Sequence, residues 1–177
     1  MLVMKFGGSS VADARQIDKV CEIVRGRLDR RPIVVASAHK GMTDLLIQAA
    51  RAAARGEVDA GPLVERQRSV LRGVGADEWM LDHYFREIED LLRGISLVRE
   101  VSPRVLDYMA GFGERLSVRA IAYYFSRHGL PAEAYDAFEL GFVTDDTFGN
   151  ARPVRGYEEG MRAAFTARVP PGVVPVV

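Results

Sequence analysis

Short apolar runs alternate with stretches of helical periodicity through the N-terminal half of the chain. Leu2 to Phe6 reads as a buried strand, and from Asp13 to Leu28 the apolar residues Ile17, Val20, Cys21, Ile23, Val24 and Leu28 recur at helical spacing. Asp29-Arg30-Arg31-Pro32 is a polar turn. Ile33 to Ala36 is a second short strand, and Asp44 to Arg55 is an alanine- and leucine-rich helix that Gly56 ends. This βαβα order predicts an open, mainly parallel α/β sheet covered by helices. Between Gly61-Pro62 and Ser102-Pro103 the rhythm turns wholly helical, with Leu63, Val70, Leu71, Leu81, Tyr84, Phe85, Ile88, Leu91 and Leu92 marking a helical insertion over residues 61–102. Pro103 to His128 reads as a further helix, Ala132 to Phe138 as a strand, and Gly141 to Pro153 as a turn-rich acidic segment. Val154 to Ala167 is a helix weakened by two glycines, and Val173 to Val177 a strand. Met4, Phe6, Trp79 and Phe112 are assigned to packing.

Composition narrows the partners. The chain has 177 residues, 48% of them hydrophobic, enough to bury the core of one domain. Lysine plus arginine (24) balance aspartate plus glutamate (24), so no basic field points to nucleic acid and a small-molecule site fits better. The single Cys21, inside an amphipathic pattern, excludes an intrachain disulfide and suits a reducing compartment as a core residue. No run approaches the roughly 18 apolar residues of a membrane helix, and no basic-then-apolar leader opens the chain. The expectation is a cytoplasmic protein that engages neither membrane nor nucleic acid.

Candidate chemistry concentrates in four segments. Lys5-Phe6-Gly7-Gly8-Ser9-Ser10 follows the first apolar run and precedes a helical pattern that begins near Val11 or Ala12. Adjacent glycines let backbone N–H groups approach an anion with no Cβ in the way, a helix start turns N–H groups and positive dipole toward it, and Lys5 adds a point charge. The lysine precedes the glycines, unlike in a Walker A loop. No third glycine completes a dinucleotide fingerprint, which disfavours a Rossmann dehydrogenase. Alone, a Gly-Gly pair makes only a tight turn.

Ser37-Ala38-His39-Lys40-Gly41-Met42-Thr43-Asp44 lies at the carboxyl edge of the second strand, where open α/β sheets bind ligands. Its residues either line a ligand pocket or bond locally, with Thr43 or Asp44 capping the next helix; His39 and Lys40 read as solvated. No histidine has metal-ligand spacing, so a zinc site is rejected. Gly113-Glu114-Arg115-Leu116-Ser117 is polar within an apolar helix. Buried there, Glu114 needs compensation, either from Arg115 or a lysine, or from a ligand's ammonium. Gly111 and Gly113 each cost about 1 kcal/mol of helix propensity and mark the close approach of a backbone or a ligand. Thr144-Asp145-Asp146-Thr147-Phe148-Gly149 forms an Asx-type turn or a hydroxyl- or metal-binding loop.

Together, Lys5-Phe6-Gly7-Gly8-Ser9-Ser10-Val11-Ala12-Asp13, the Ser37 to Asp44 loop, Phe112-Gly113-Glu114-Arg115-Leu116-Ser117 and Thr144 to Gly149 resemble aspartate kinase, in that family's order and spacing over essentially the whole chain. The first and third motifs separate it from the acetylglutamate, glutamate and uridylate kinase branches of the amino-acid kinase superfamily. The resemblance implies an amino-acid kinase fold and transfer of the γ-phosphoryl group of ATP, with Mg2+, to the side-chain carboxylate of L-aspartate. The product is 4-phospho-L-aspartate, the first step toward lysine, threonine, methionine and diaminopimelate. It further implies that Lys5 is catalytic, neutralising the transferring phosphoryl group, with the backbone amides of Gly7, Gly8 and Ser9 around the phosphates. Ser37, Thr43 and Glu114 bind aspartate, Glu114 taking its ammonium with Arg115 in support, and no metal-ligating side chain is implied. Positioning and charge neutralisation then carry the transfer.

Family members continue past the last strand into segments that supply an arginine for the aspartate carboxylate and a catalytic aspartate, followed by an adenine-binding half and ACT regulatory domains. Residues 1–177 are therefore expected to form a truncated, N-terminal, substrate-side lobe, inactive alone, whose Val173 to Val177 strand lacks cover and favours self-association as a homo-oligomer. His39 occupies a position that is small or apolar in many relatives. The alternative is a non-catalytic aspartate-binding or interaction module that relies on another chain for nucleotide.

Overall fold

The computed structural model describes residues 1–177. Four strands, β1 (Leu2–Phe6), β2 (Pro32–Ala36), β3 (Ala132–Ala134) and β4 (Val174–Val176), form one sheet in the order β1-β2-β4-β3, every pair parallel. β1 and β2 run in register from Leu2 beside Pro32 to Phe6 beside Ala36. Parallel neighbours need a crossover, and α1 (Ala14–Arg25) makes the first. Asp13 caps it by accepting the Gln16 N–H at 3.0 Å, and Ile17, Val20, Cys21 and Val24 point into the core at helical spacing.

α2 (Met42–Ala54) follows β2, and α3 (Gly61–Gly73) and α4 (Asp82–Val98) form the helical insertion. α5 (Pro103–Arg127), 25 residues long, spans about 37 Å at 1.5 Å per residue and packs against the sheet and the first four helices. Ser102 caps it through the Val105 N–H, and Pro103 occupies the first turn, where its missing donor costs nothing. Phe112, Leu116, Ile121 and Phe125 of α5 join Leu63 and Leu71 of α3, Ile88 and Leu92 of α4, and Val34 and Val176 of the sheet in one continuous core. The insertion thus shares the sheet's hydrophobic core. Full burial of each such side chain contributes about 1.5–3 kcal/mol.

Several local expectations are corrected. β3 ends at Ala134, and Ala137–Leu140 curls into a 3-10 turn because Asp136 and Glu139 bond reciprocally to each other's backbone, leaving Phe138 64% exposed. β4 is not an uncovered edge; Val174 and Val176 are buried between β2 and β3, and the open edges belong to β1 and β3. The helix expected from Val154 is α6 (Tyr157–Arg168), which starts after Gly156 takes a left-handed φ of +83°. Trp79 does not pack into the core. It is 62% exposed, with the Arg68 guanidinium 4.5 Å over its ring. No helix is long and apolar enough to cross a membrane.

Candidate active site

β1 delivers Lys5 to the carboxyl edge of the sheet. Lys5 is exposed, and its register partner Val35 lines a cavity of about 460 Å3. Beyond Phe6 the chain turns sharply, with the Ser10 N–H donating to Gly7 O at 2.8 Å and the Lys40 N–H to Gly8 O at 3.2 Å. A Cβ on Gly8 would lie 2.7 Å from the Ala38 carbonyl, so only glycine lets the two loops meet. The N–H groups of Gly7, Gly8 and Ser9 donate to no acceptor in the protein. The Lys5 ammonium lies alongside them, 3.6 Å from where a Cβ on Gly7 would stand. α1 does not start directly behind the glycines. Ser9, Ser10, Val11, Ala12 and Asp13 intervene, and the Asp13 carboxylate takes the first-turn N–H of Gln16. The unbonded N–H groups of this turn lie in the loop beside Lys5 rather than at the helix terminus.

The β2–α2 loop forms the next wall. The Ser37 N–H donates to Phe6 O at 3.0 Å, which fixes the half-buried Ser37 beside the end of β1. Gly41, at φ +82°, precedes α2, and neither Thr43 nor Asp44 caps the helix; both lie inside its first turn. The Thr43 hydroxyl is thereby left facing α5, 3.5 Å from the Cβ position of Gly113. Lys40 is exposed, as expected, but His39 is 1% exposed rather than solvated. Its Nδ1 bonds the Val11 carbonyl at 2.5 Å, and because a carbonyl only accepts, Nδ1 carries the proton. Nε2 is buried without a partner. Burial, reinforced by the nearby Arg66 cation, pushes the imidazole pKa down to about 4 against the opposing Val11 bond, so the ring is neutral at pH 7.

α5 closes the site from the far side. A Cβ on Gly113 would lie 2.7 Å from the Cβ of Ala38, so this glycine allows the helix to abut the loop. Next to it, Glu114 Oε1 accepts the Ala38 N–H at 3.2 Å. Glu114 is exposed and lines the cavity, which corrects the buried setting expected of it, and no cation pairs with it, which removes the internal ion pair from the two alternatives. Arg115 does not support Glu114 either. Its Nε meets Asp136 Oδ2 at 3.1 Å, while Arg119, one turn on, meets Oδ1 at 2.7 Å. Successive helix residues point about 100° apart, so Arg115, which lines the same cavity, turns to Asp136 while Glu114 turns to Ala38. The Asp136 cluster escaped the sequence reading; its signal was the pair Arg115 and Arg119 at helical spacing, with a partner known only once the strand is placed. Gly111 opens directly on the cavity, nothing lying within 4 Å of its Cβ position.

Asp145 makes the Asx-type turn, its Oδ1 accepting the Thr147 and Arg152 N–H groups at 3.1 Å each, and those bonds lower its pKa. No three His, Cys, Asp or Glu side chains are arranged to hold a metal ion. A groove of about 520 Å3 at the opposite ends of the strands, among Met1, Pro32, Phe165 and Val174, carries Arg31 as its one charged side chain and none of the chemistry above.

This parallel sheet, with a lysine-flanked glycine turn at its carboxyl edge and a carboxylate on a long central helix, lies in a chain that matches the amino acid kinase family over residues 1–177; the chain belongs to that family. Within it, the aspartokinases are its relatives. It is 37% identical over 156 residues to aspartokinase 1, chloroplastic, of Arabidopsis thaliana, covering 84% of this chain and 27% of that protein. To aspartokinase 3 of Bacillus subtilis it is 30% identical over 161 residues, 86% of this chain and 35% of that one. E. coli aspartokinase III in complex with lysine and aspartate superposes with a TM-score of 0.68 at 26% identity, over 99% of this chain and 40% of that chain. The same enzyme in complex with aspartate and ADP gives a TM-score of 0.75 at 23% identity with equal coverage, a likeness of fold. The chain thus spans 27% to 35% of the length of these two curated relatives.

Proposed function

We propose that residues 1–177 form the substrate-side lobe of an aspartate kinase, which transfers the γ-phosphoryl group of ATP to the side-chain carboxylate of L-aspartate. The observation that carries this reading is the uncompensated Glu114 carboxylate, anchored by the Ala38 N–H at the mouth of the cavity. An exposed carboxylate with no cation of its own, facing a half-built pocket, suits the ammonium of an amino acid. Ser37, on the loop that Glu114 holds, and Thr43, in the first turn of α2, supply hydroxyls for the rest of the substrate. Lys5 and the amides of Gly7, Gly8 and Ser9 bind and orient the phosphates, and Lys5 neutralises charge that develops on the transferring group. Magnesium enters with the nucleotide and offsets phosphate charge. The proteins whose structures resemble this one include one described with aspartate and ADP, which supports the same pairing of ligands here.

Calorimetric titration of L-aspartate into the purified chain, set beside Glu114→Gln, tests the substrate. Binding that is equal for L-aspartate and a dicarboxylate lacking the amino group removes Glu114 from the role. In an ADP-release assay with aspartate and MgATP the isolated chain is expected to show no turnover, because only one side of the nucleotide meets these residues. Turnover lost in Lys5→Ala would contradict that half-site reading. A non-catalytic aspartate-binding module shares the Glu114 pocket but has no use for the free amides beside Lys5, and binding of MgATP at that turn separates the two.

A further inference from the structure

Five of the seven backbone carbonyls from Gly7 to Asp13 accept a hydrogen bond from the protein. Gly7 O takes the Ser10 N–H, Gly8 O the Lys40 N–H, and Asp13 O the N–H groups of Gln16 and Ile17. The two carbonyls between, Val11 O and Ala12 O, are held by side chains from elsewhere in the chain. His39 Nδ1, from the β2–α2 loop, reaches Val11 O at 2.5 Å across 28 positions, and Arg66 Nη2, from α3, reaches Ala12 O at 2.7 Å across 54. With five of the carbonyls engaged, the N–H groups of Gly7, Gly8 and Ser9, like those of Val11, Ala12 and Asp13, are left without a protein partner.

We propose that His39 and Arg66 are positioning residues, a two-point clamp on consecutive carbonyls that presets the glycine turn with its amides outward for the phosphates of the nucleotide. The proposal rests on the phosphate reading of that turn. A seven-residue loop with two adjacent glycines has large backbone freedom, and ordering it on nucleotide binding would cost affinity; a clamp supplied by the folded chain removes that cost beforehand. The clamp also assigns a purpose to the helical insertion, since Arg66 belongs to α3, and to the buried histidine, whose Nδ1 proton is directed by Val11 O while Nε2 touches nothing polar. Neither residue contacts the phosphate surface itself, so both act through the loop.

The test uses the whole 177-residue chain, 15N-labelled, with amide hydrogen exchange read residue by residue. His39→Leu keeps an apolar body without the donor, and His39→Asn restores an N–H near the Nδ1 position. Arg66→Met and Arg66→Lys make the same comparison at a half-buried site whose loss the fold tolerates. Exchange at the amides of Ser10 and Lys40, whose bonds to Gly7 O and Gly8 O hold the turn, is expected to rise about tenfold in His39→Leu and in Arg66→Met, to return toward wild type in His39→Asn and Arg66→Lys, and to stay constant at the α5 core amides of Leu116 and Ile121. Unchanged exchange in the loop, or equal acceleration throughout the chain, overturns the clamp and leaves His39 and Arg66 as ordinary packing residues. Titration of MgATP, followed by the amide shifts of Gly7, Gly8 and Ser9, adds the functional arm: affinity is expected to fall between a few-fold and about tenfold in the two donor-less variants and to recover in the rescued ones. Wild-type amides that do not respond to MgATP sink the phosphate reading, while the exchange data still decide the clamp.

Discussion

Glu114 Oε1 accepts the N–H of Ala38 at 3.2 Å, a contact that joins α5 to the β2–α2 loop across 76 positions of sequence. It is possible because Gly113 has no Cβ to strike Ala38, and because the loop carries its free N–H toward the helix rather than into the sheet. The carboxylate is thereby aimed by the backbone and left uncompensated in charge, which is the state a cationic ligand group requires.

Glu114→Gln keeps the shape and the acceptor toward Ala38 and removes the charge. L-Aspartate binding is expected to weaken by about 10- to 100-fold, the range of one charge-assisted hydrogen bond of roughly 1.5–3 kcal/mol. Thermal unfolding is expected to change little. Titration calorimetry with parallel melting curves checks both, and a large drop in melting temperature with unaltered aspartate affinity would make Glu114 a structural residue.

Lys5 stands exposed beside the glycine turn. In a complete kinase containing this chain, Lys5→Ala is expected to lower kcat by about 100-fold or more with little change in the KM for aspartate, since its charge is needed most when the phosphoryl group is in transit. Steady-state kinetics that show a raised KM and a normal kcat assign the lysine to ground-state binding instead.

Gly111 and Gly113 lie on α5 two residues apart and are expected to respond in opposite directions. Gly113→Ala places a methyl group 2.7 Å from the Ala38 side chain and forces the loop away, at a cost of about 1–3 kcal/mol. At Gly111 nothing lies within 4 Å, so Gly111→Ala gains up to about 1 kcal/mol of helix propensity while narrowing the cavity. Urea denaturation of the two variants provides the comparison, and equal effects on stability count against the packing described.

His39 has its pKa depressed to about 4 in the folded chain by burial, with the Arg66 cation of α3 adding to the effect. Unfolded, the imidazole titrates near its ordinary value of about 6.5, so between these two values the unfolded chain holds more protons. Its contribution to stability is complete above about pH 6.5 and is lost as pH falls toward 4, by about 3 kcal/mol in all. Denaturation midpoints at pH 7, 5.5 and 4.5, compared with those of His39→Asn, isolate this component; parallel curves for the two proteins exclude it.

The alternation of strand and helix, the helical insertion and the core place of Cys21 were legible in the sequence, because side-chain periodicity reports which face of a single element meets the interior, whatever that interior is made of. The glycine turn after β1 was legible for a similarly local reason: Gly7 and Gly8 shape the backbone of their own segment. What each polar side chain meets was not. His39 lies in a polar loop and is buried where the 7–13 loop and Arg66 of α3 come close to it, and Arg115 turns from Glu114 to Asp136 because the helix points neighbouring residues about 100° apart. Trp79 is held at the surface by Arg68, and β4, last in the chain, lies inside the sheet. Those outcomes depend on contacts that range from 11 positions apart, between Arg68 and Trp79, to 142, between Val34 and Val176, and such contacts exist only after the helices have packed on the sheet. Sequence by itself determined the elements and the residue types available for chemistry, and the tertiary structure alone decided which charges were compensated and which, like Glu114, were left free.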